Sequence, residues 1–414
     1  MNKKYIAILS EAKNKVLAES KVLILLYLYL FLFPLGQLLR IPPQSTQLSL
    51  VHFYLTDVIV GLVGVMWVMR RIREKRGVST SLTKPILIFF GLGLFSLLVN
   101  YSSLTTKQFG ISFLYLFRWI VYAGLYFVVR DIGKVSGKIR VISGLIAAGV
   151  VCGILGLVQY IFLPDTRFLA QFGWDPHYYR LIGTFLDPGF LGIILVLTLI
   201  LLTEKIWQDK KKILIIVWII TYVALALTYS RASYLGFLGG LGMLGLIKKK
   251  PRFIFKIVGL LFITLLILPR PGGEGVRLER DSTIRYRIIN WEHALTISRD
   301  HLLLGVGFNS YRYAQGKYGF IEERISEDSA HSAAGVDSSL LFVLATTGVL
   351  GLLGYLGILR VAWREGDIII RSSLIALLIH SCFTNTLFYP WIMGWWWILL
   401  GINEKSRGAK LDHL

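Results

Sequence analysis

Residues 189–252 read GFLGIILVLTLILLTEKIWQDKKKILIIVWIITYVALALTYSRASYLGFLGGLGMLGLIKKKPR. Three apolar runs, 189–206, 213–229 and 233–247, are separated by a lysine-rich loop and a short polar turn, and a KKKPR segment follows the third. An α-helix of roughly 20 apolar residues crosses a hydrocarbon core of about 30 Å. Inside lipid a helix is the only open-ended element that satisfies its own backbone. Lys205, Lys210, Lys211 and Lys212 mark one side of the bilayer, and Lys248, Lys249, Lys250 and Arg252 return to it. The positive-inside rule makes that side the cytoplasm. The turn 228–233, Thr-Tyr-Ser-Arg-Ala-Ser, then faces outward.

The same pattern extends in both directions. Further runs fall at 22–39, 51–69, 85–101, 110–129, 141–163, 253–269, 338–359, 368–388 and 390–402. Basic loops at 70–84 and 130–140, and the tail 403–414, join the lysine clusters on one side. The expected fold is therefore all-α: a polytopic membrane helix bundle of about twelve spans with both termini cytoplasmic. Segment 1–21 is read as a cytoplasmic lead-in, since no small-residue cleavage site follows its lysines. Spans one to nine occupy 22–269, a large periplasmic loop 270–337, and the last three spans 338–402. Within the loop, residues 284–298 alternate apolar and charged positions as an amphipathic helix that could lie at the membrane interface.

Composition agrees. Of 414 residues, 55% are hydrophobic and only 17% charged, against about a quarter in soluble domains. The net charge of +21 resides in the alternating loops, so it indicates topology and not a nucleic-acid partner. Cys152 and Cys382 lie in apolar runs, as packing residues, and no disulfide framework or cysteine metal site is readable. Phosphate-loop, zinc-protease and serine-elbow motifs are absent. No internal repeat or inverted copy is visible, which argues against a secondary transporter.

Four polar clusters reach the outer side under this topology. Arg180 lies in 178–189, where it could grip a phosphate or reach to lipid headgroups. Arg231 sits in the outer turn, against the positive-inside bias, beside a glycine-rich span that permits close packing. Arg285 and Arg287 stand near Trp291, Glu292 and His293 on the loop helix, as ligands or as a solvated face. His331 and Asp337 flank the return into the membrane, where a titratable group could act as a base or simply be solvated. Inside the spans lie Asp57, Arg118, Arg371 and His380. Arg118, near mid-span, requires a partner, for which Asp57 is the candidate.

The order of these motifs is specific even though each is loose. Arg180-x-x-Gly183-Thr184-Phe185 precedes Pro188 and a span, and Ser230-Arg231 follows at a turn. Then come Arg285 and Arg287 with Trp291-x-x-Ala294-Leu295 and Gly305-x-Gly307. Asp337 stands eleven positions before Gly348 in Ala-Thr-Thr-Gly-Val-Leu-Gly. Over about residues 175–360 this order resembles the O-antigen ligase and O-antigen polymerase superfamily of bacterial inner membranes. The resemblance implies a glycosyltransferase needing neither metal nor cofactor. Its donor would be an undecaprenyl-pyrophosphate-linked glycan on the periplasmic face, and its acceptor a glycan, lipid or protein hydroxyl. It implies that Arg180, Arg231 and Arg285 or Arg287 hold the pyrophosphate, with Arg118 and His293 in support. Ligases of the family carry His at the position of Asp337, so Asp337, His331 or neither takes the place of that base, and the departure tilts the reading toward a polymerase. The alternative is a polysaccharide or solute transporter or flippase that uses intramembrane charges such as Arg118.

Overall fold

The computed structural model describes residues 21–41, 52–75, 77–132, 135–321 and 335–402. Fourteen helices follow along the described chain: α1 (Lys21–Leu39), α2 (Leu55–Arg73), α3 (Thr83–Val99), α4 (Thr106–Arg130), α5 (Val135–Phe162), α6 (Pro188–Asp209), α7 (Lys212–Ala226), α8 (Arg231–Ile247), α9 (Pro251–Ile267), α10 (Ser282–Asp300), α11 (Tyr311–Lys317), α12 (Ser339–Glu365), α13 (Ile368–Ser381) and α14 (Pro390–Ile402). Among the described residues the only sheet is a two-stranded ribbon, Arg40–Ile41 against Phe53–Tyr54. This is an all-α integral membrane protein. Five helices (α1, α4, residues 137–162 of α5, α6 and α12) are long and apolar enough to cross a membrane, and α3, α7, α8, α13 and α14 are shorter apolar helices.

Each apolar run of the sequence lies on a helix, with shifted ends. The run 110–129 starts earlier, at Thr106, because Thr105 and Gln108 form a reciprocal capping box. The run 368–388 stops at Ser381, and its remainder is a polar turn in which Thr386 holds His380 Nδ1 at 2.7 Å.

α6 is apolar on every side and is buried on every side, from Leu191 to Glu204. A helix of that kind belongs at the centre of a bundle, and α5, α7, α8 and α13 surround it. α8 meets α13 through its glycines: a Cβ on Gly236 or Gly240 would stand 3.3 Å from the Ala376 or Ser372 carbonyl. Apolar side chains such as Phe31, Phe95, Phe162, Phe255 and Leu266 are exposed on the outside of the bundle, as lipid contact requires.

Candidate functional site

The N-terminus of the central helix organises the site. Asp187 caps α6, accepting the Phe190 N–H at 2.7 Å, and Pro188 follows where no N–H is needed. The segment before it carries Arg180, whose Nε donates to the Thr228 carbonyl at 3.1 Å and whose Nη2 donates to the Tyr229 carbonyl at 3.4 Å. Next along that turn, Ser230 caps α8 and sets Arg231 in its first turn. Arg231 Nη1 donates to the carbonyls of Leu278 at 3.0 Å and Arg280 at 3.1 Å, while its buried Nη2 has no partner. Arg280 in turn donates to the Gly275 and Arg277 carbonyls, each at 2.8 Å.

These guanidiniums feel one another. Burial, then the charge of Arg280, lowers the Arg180 pKa, and burial, then Arg231 and Arg287, lowers that of Arg280. Burial also lowers Arg287. Buried Arg180 and half-buried Arg231, Arg280 and Arg287, the first three held by backbone carbonyls, form a site that an anion would relieve.

The loop helix α10 presents Arg287, Asn290, Trp291, Ala294, Ile297 and Ser298 along one inward stripe of helical period. Arg285, two residues from Arg287, points away and is exposed. Arg287 lies over the Phe383 ring at 5.8 Å. Its neighbour Asn290 accepts the Asp337 N–H at 2.8 Å and donates to the Gly335 carbonyl at 3.1 Å, and Trp291 Nε1 donates to the Asp337 carbonyl at 3.2 Å. The Asp337 carboxyl is raised to about 6, by burial against the opposing pull of Arg287, with Asp175 and Asp187 adding to the rise.

The two glycine motifs meet here. Gly348 breaks α12 at φ 65°, and a Cβ there would come within 2.2 Å of the Leu303 carbonyl carbon. Gly305, also at φ 65°, lies equally close to the backbone of α12, where a Cβ would stand 2.4 Å from the Thr346 carbonyl carbon. The Val306 and Gly307 N–H groups donate to the Ala345 and Thr346 carbonyls at 3.0 Å, and the Val349 N–H donates to the Leu302 carbonyl at 2.8 Å. The loop is thereby joined backbone to backbone to the helix that carries Asp337 at its start.

A cavity of about 360 Å³ opens beside Asp337. Asp175, Asp187 and Asp337 line its wall, with Arg312, Gln37, Asn385 and Arg118. Its lining along α4 runs from Ile111 to Trp119, a depth of about 12 Å at 1.5 Å per residue. At the deep end Arg118 pairs with Asp57 at 2.9 Å, the two being 8% and 10% exposed. Tyr122 donates to Asp57 at 2.8 Å, and Arg118 donates to the His52 carbonyl and faces the Tyr115 ring at 5.0 Å. Among the described residues no group of His, Cys, Asp or Glu is arranged to hold a metal ion.

The placement of the sequence candidates is therefore uneven. Arg180, Arg231 and Arg287 cluster, but none of them lines the cavity, which lies on the carboxylate side of the group. Asp337 lines it and Arg118 closes its deep end. His293 stacks on Phe320 with ring centroids 4.0 Å apart, and His331 lies outside the described residues. Sequence reasoning missed Arg280, Asp175, Asp187, Gln37, Asn385 and Arg312 as site residues. Arg280 carried a usable signal, as one more arginine in the same loop. Gln37 and Asn385 carried none, since each is an isolated amide far along the chain from the rest.

Fold and site together define a helical membrane protein with a polar cavity and a partly buried arginine cluster beside it. Residues 213–356 match the family model described as O-antigen ligase, which supports the O-antigen ligase and polymerase superfamily. The match takes in Arg231, Arg285, Arg287, His331 and Asp337 and leaves Arg118 and Arg180 before it. No curated protein matches the chain.

Proposed function

We propose that this chain is a metal-independent membrane glycosyltransferase that polymerises or ligates surface polysaccharide. Its donor is a glycan on undecaprenyl pyrophosphate at the outer face of the bacterial inner membrane, with both termini cytoplasmic. The observation that carries the reading is the cluster of buried Arg180 with half-buried Arg231, Arg280 and Arg287 next to the half-buried carboxyl of Asp337.

The chemistry needs two things from the protein. As the glycosidic C–O bond to the carrier breaks, negative charge grows on the departing pyrophosphate. Preorganised guanidiniums in a site of low dielectric stabilise that charge without rearranging. The acceptor hydroxyl oxygen forms the new bond at the anomeric carbon and gives up its proton. Asp337, lifted toward neutrality by burial, is the better base for being lifted, because a base near the working pH transfers protons most efficiently. Asn290 and Trp291 fix its backbone relative to Arg287. Asp337 occupies the place where ligases of the family carry His, and this favours the polymerase form, with a second carrier-linked repeat unit as acceptor.

The charges on which a transporter would draw, Arg118 and Asp57, neutralise each other in a buried pair. The test is complementation of surface-glycan synthesis by Arg180→Ala. Loss of glycan length and amount, with the protein still present in the membrane, supports the site. Unchanged glycan contradicts it.

A further inference from the structure

The wall of the cavity carries hydrogen-bonding groups that the described residues leave unmet. Gln37 is 6% exposed and its Nε2 donates to Tyr389 Oη at 3.0 Å, but its buried Oε1 has no partner. Asn385 Oδ1 is likewise buried without a partner. The carboxylates of Asp175 and Asp337 accept no hydrogen bond from any described residue. Gln37 Oε1 and Asn385 Oδ1 are unmet buried acceptors, which is costly. Asp175 is exposed and Asp337 half-buried, and Trp174 Nε1 and Arg312 bring donor groups to the same wall. The cations on the same wall are Arg312 and Arg118, and Asp57 neutralises the second. Flat apolar surface stands beside the acceptors: Phe190 and Tyr389 stack at 3.8 Å with their planes 3° apart, and Trp119 closes the α4 side. The volume lies at the small end of the range for small-molecule sites, about 300–1,000 Å³.

We infer that this cavity is a sugar subsite that recognises an uncharged or amino sugar of the glycan and rejects an acidic one. The inference rests on the glycan-transfer reading and adds which sugars the site admits. Hydroxyl and amide N–H groups of such a sugar satisfy Gln37 Oε1, Asn385 Oδ1 and the free carboxylates, while its C–H faces lie on the aromatic rings. The carboxylate of a uronic acid would instead face Asp175, Asp187 and Asp337, and like charges at close range repel.

The test uses the full chain in lipid nanodiscs and saturation-transfer NMR. The probes are methyl glucoside, methyl N-acetylglucosaminide and methyl glucuronide. The expected result is binding of one or both uncharged glycosides about tenfold tighter than the glucuronide, and about tenfold weaker binding after Gln37→Leu or Asn385→Leu, the effect of one buried hydrogen bond. Asp175→Asn, nearly isosteric, covers the case in which the leucine variants fail to fold, and it should narrow the discrimination against the glucuronide. Absence of glycoside binding, equal binding of the glucuronide, or unaltered binding by all three variants overturns the inference. Inorganic pyrophosphate is titrated in parallel. Failure of the native protein to bind it counts against the transfer reading and leaves the sugar result to stand or fall alone.

Discussion

Asn290 on the loop helix accepts the backbone N–H of Asp337 at 2.8 Å, which ties the helix bearing Arg287 to the carboxylate that opens α12. Arg287 lies one turn before Asn290 on the same stripe, so Asn290, with Trp291, sets the spacing between the proposed anion-binding charge and the proposed base. Asn290→Ala removes this bond and the one to Gly335. A misplacement of about 1 Å near reacting atoms can lower a rate by about a hundredfold. We expect kcat of the transfer reaction to fall by about ten- to a hundredfold while KM for the lipid-linked donor changes less. A fall in donor affinity alone would contradict the positioning role.

In the proposed transfer, the carboxyl of Asp337 sets the pH dependence. With its pKa raised to about 6, chiefly by burial, the proposed base would be protonated and idle below that value. Transfer should rise through pH 6 and level off above it, and Asp337→Asn should abolish the rising limb together with most of the rate. Stability has the opposite sign. A folded-state pKa above the unfolded value of about 3.9 favours the protonated native state. This contribution is complete below about pH 4 and is lost as pH rises through about 6. Thermal unfolding of the native chain and of the Asp337→Asn variant across that window measures it.

Arg285 and Arg287 separate cleanly. The first is exposed and the second is turned inward beneath Asp337 and over Phe383. Arg285→Ala should leave the rate within about twofold, as surface changes of within about 0.5 kcal/mol do. Arg287→Ala should cost about a hundredfold or more, the usual effect of removing one preorganised charge-stabilising group. Equal effects of the two variants, in a purified assay, would contradict the arrangement.

Gly348→Ala strains a backbone at φ 65° and ψ −170°, a region open essentially to glycine, and puts a Cβ 2.2 Å from the Leu303 carbonyl carbon. We expect a loss of about 2 kcal/mol or more, read as a lower melting temperature in detergent. Gly242→Ala, on α8 where nothing stands within 4 Å of the new methyl, is the control and should be neutral or stabilising.

The helices were legible in the sequence because lipid forces each span to declare itself as a continuous apolar run. Even so, the end of α13 was misplaced, since Thr384, Asn385 and Thr386 look like a brief polar interruption and act as a turn that lines the cavity. Arg118 and Asp57 could be paired in advance because a charge in mid-span must find another. The choice between Arg285 and Arg287 could not be made, because both faces of α10 carry isoleucines and the inward one is decided by contacts with Asp337 and Phe383. Asp175, Gln37 and Asn385 were invisible for a related reason. Each is polar and isolated, and only the packing of α1, the segment before α6 and the turn after α13 brings them to one wall.

The most direct test of the central claim is chain extension by the purified protein, given only an undecaprenyl-pyrophosphate-linked repeat unit in nanodiscs. The account predicts lengthened carrier-linked glycan from the native chain, and none above background when Arg180 or Arg287 is replaced by Ala. Extension that persists in both variants, or solute uptake into proteoliposomes with no glycan product, would contradict it.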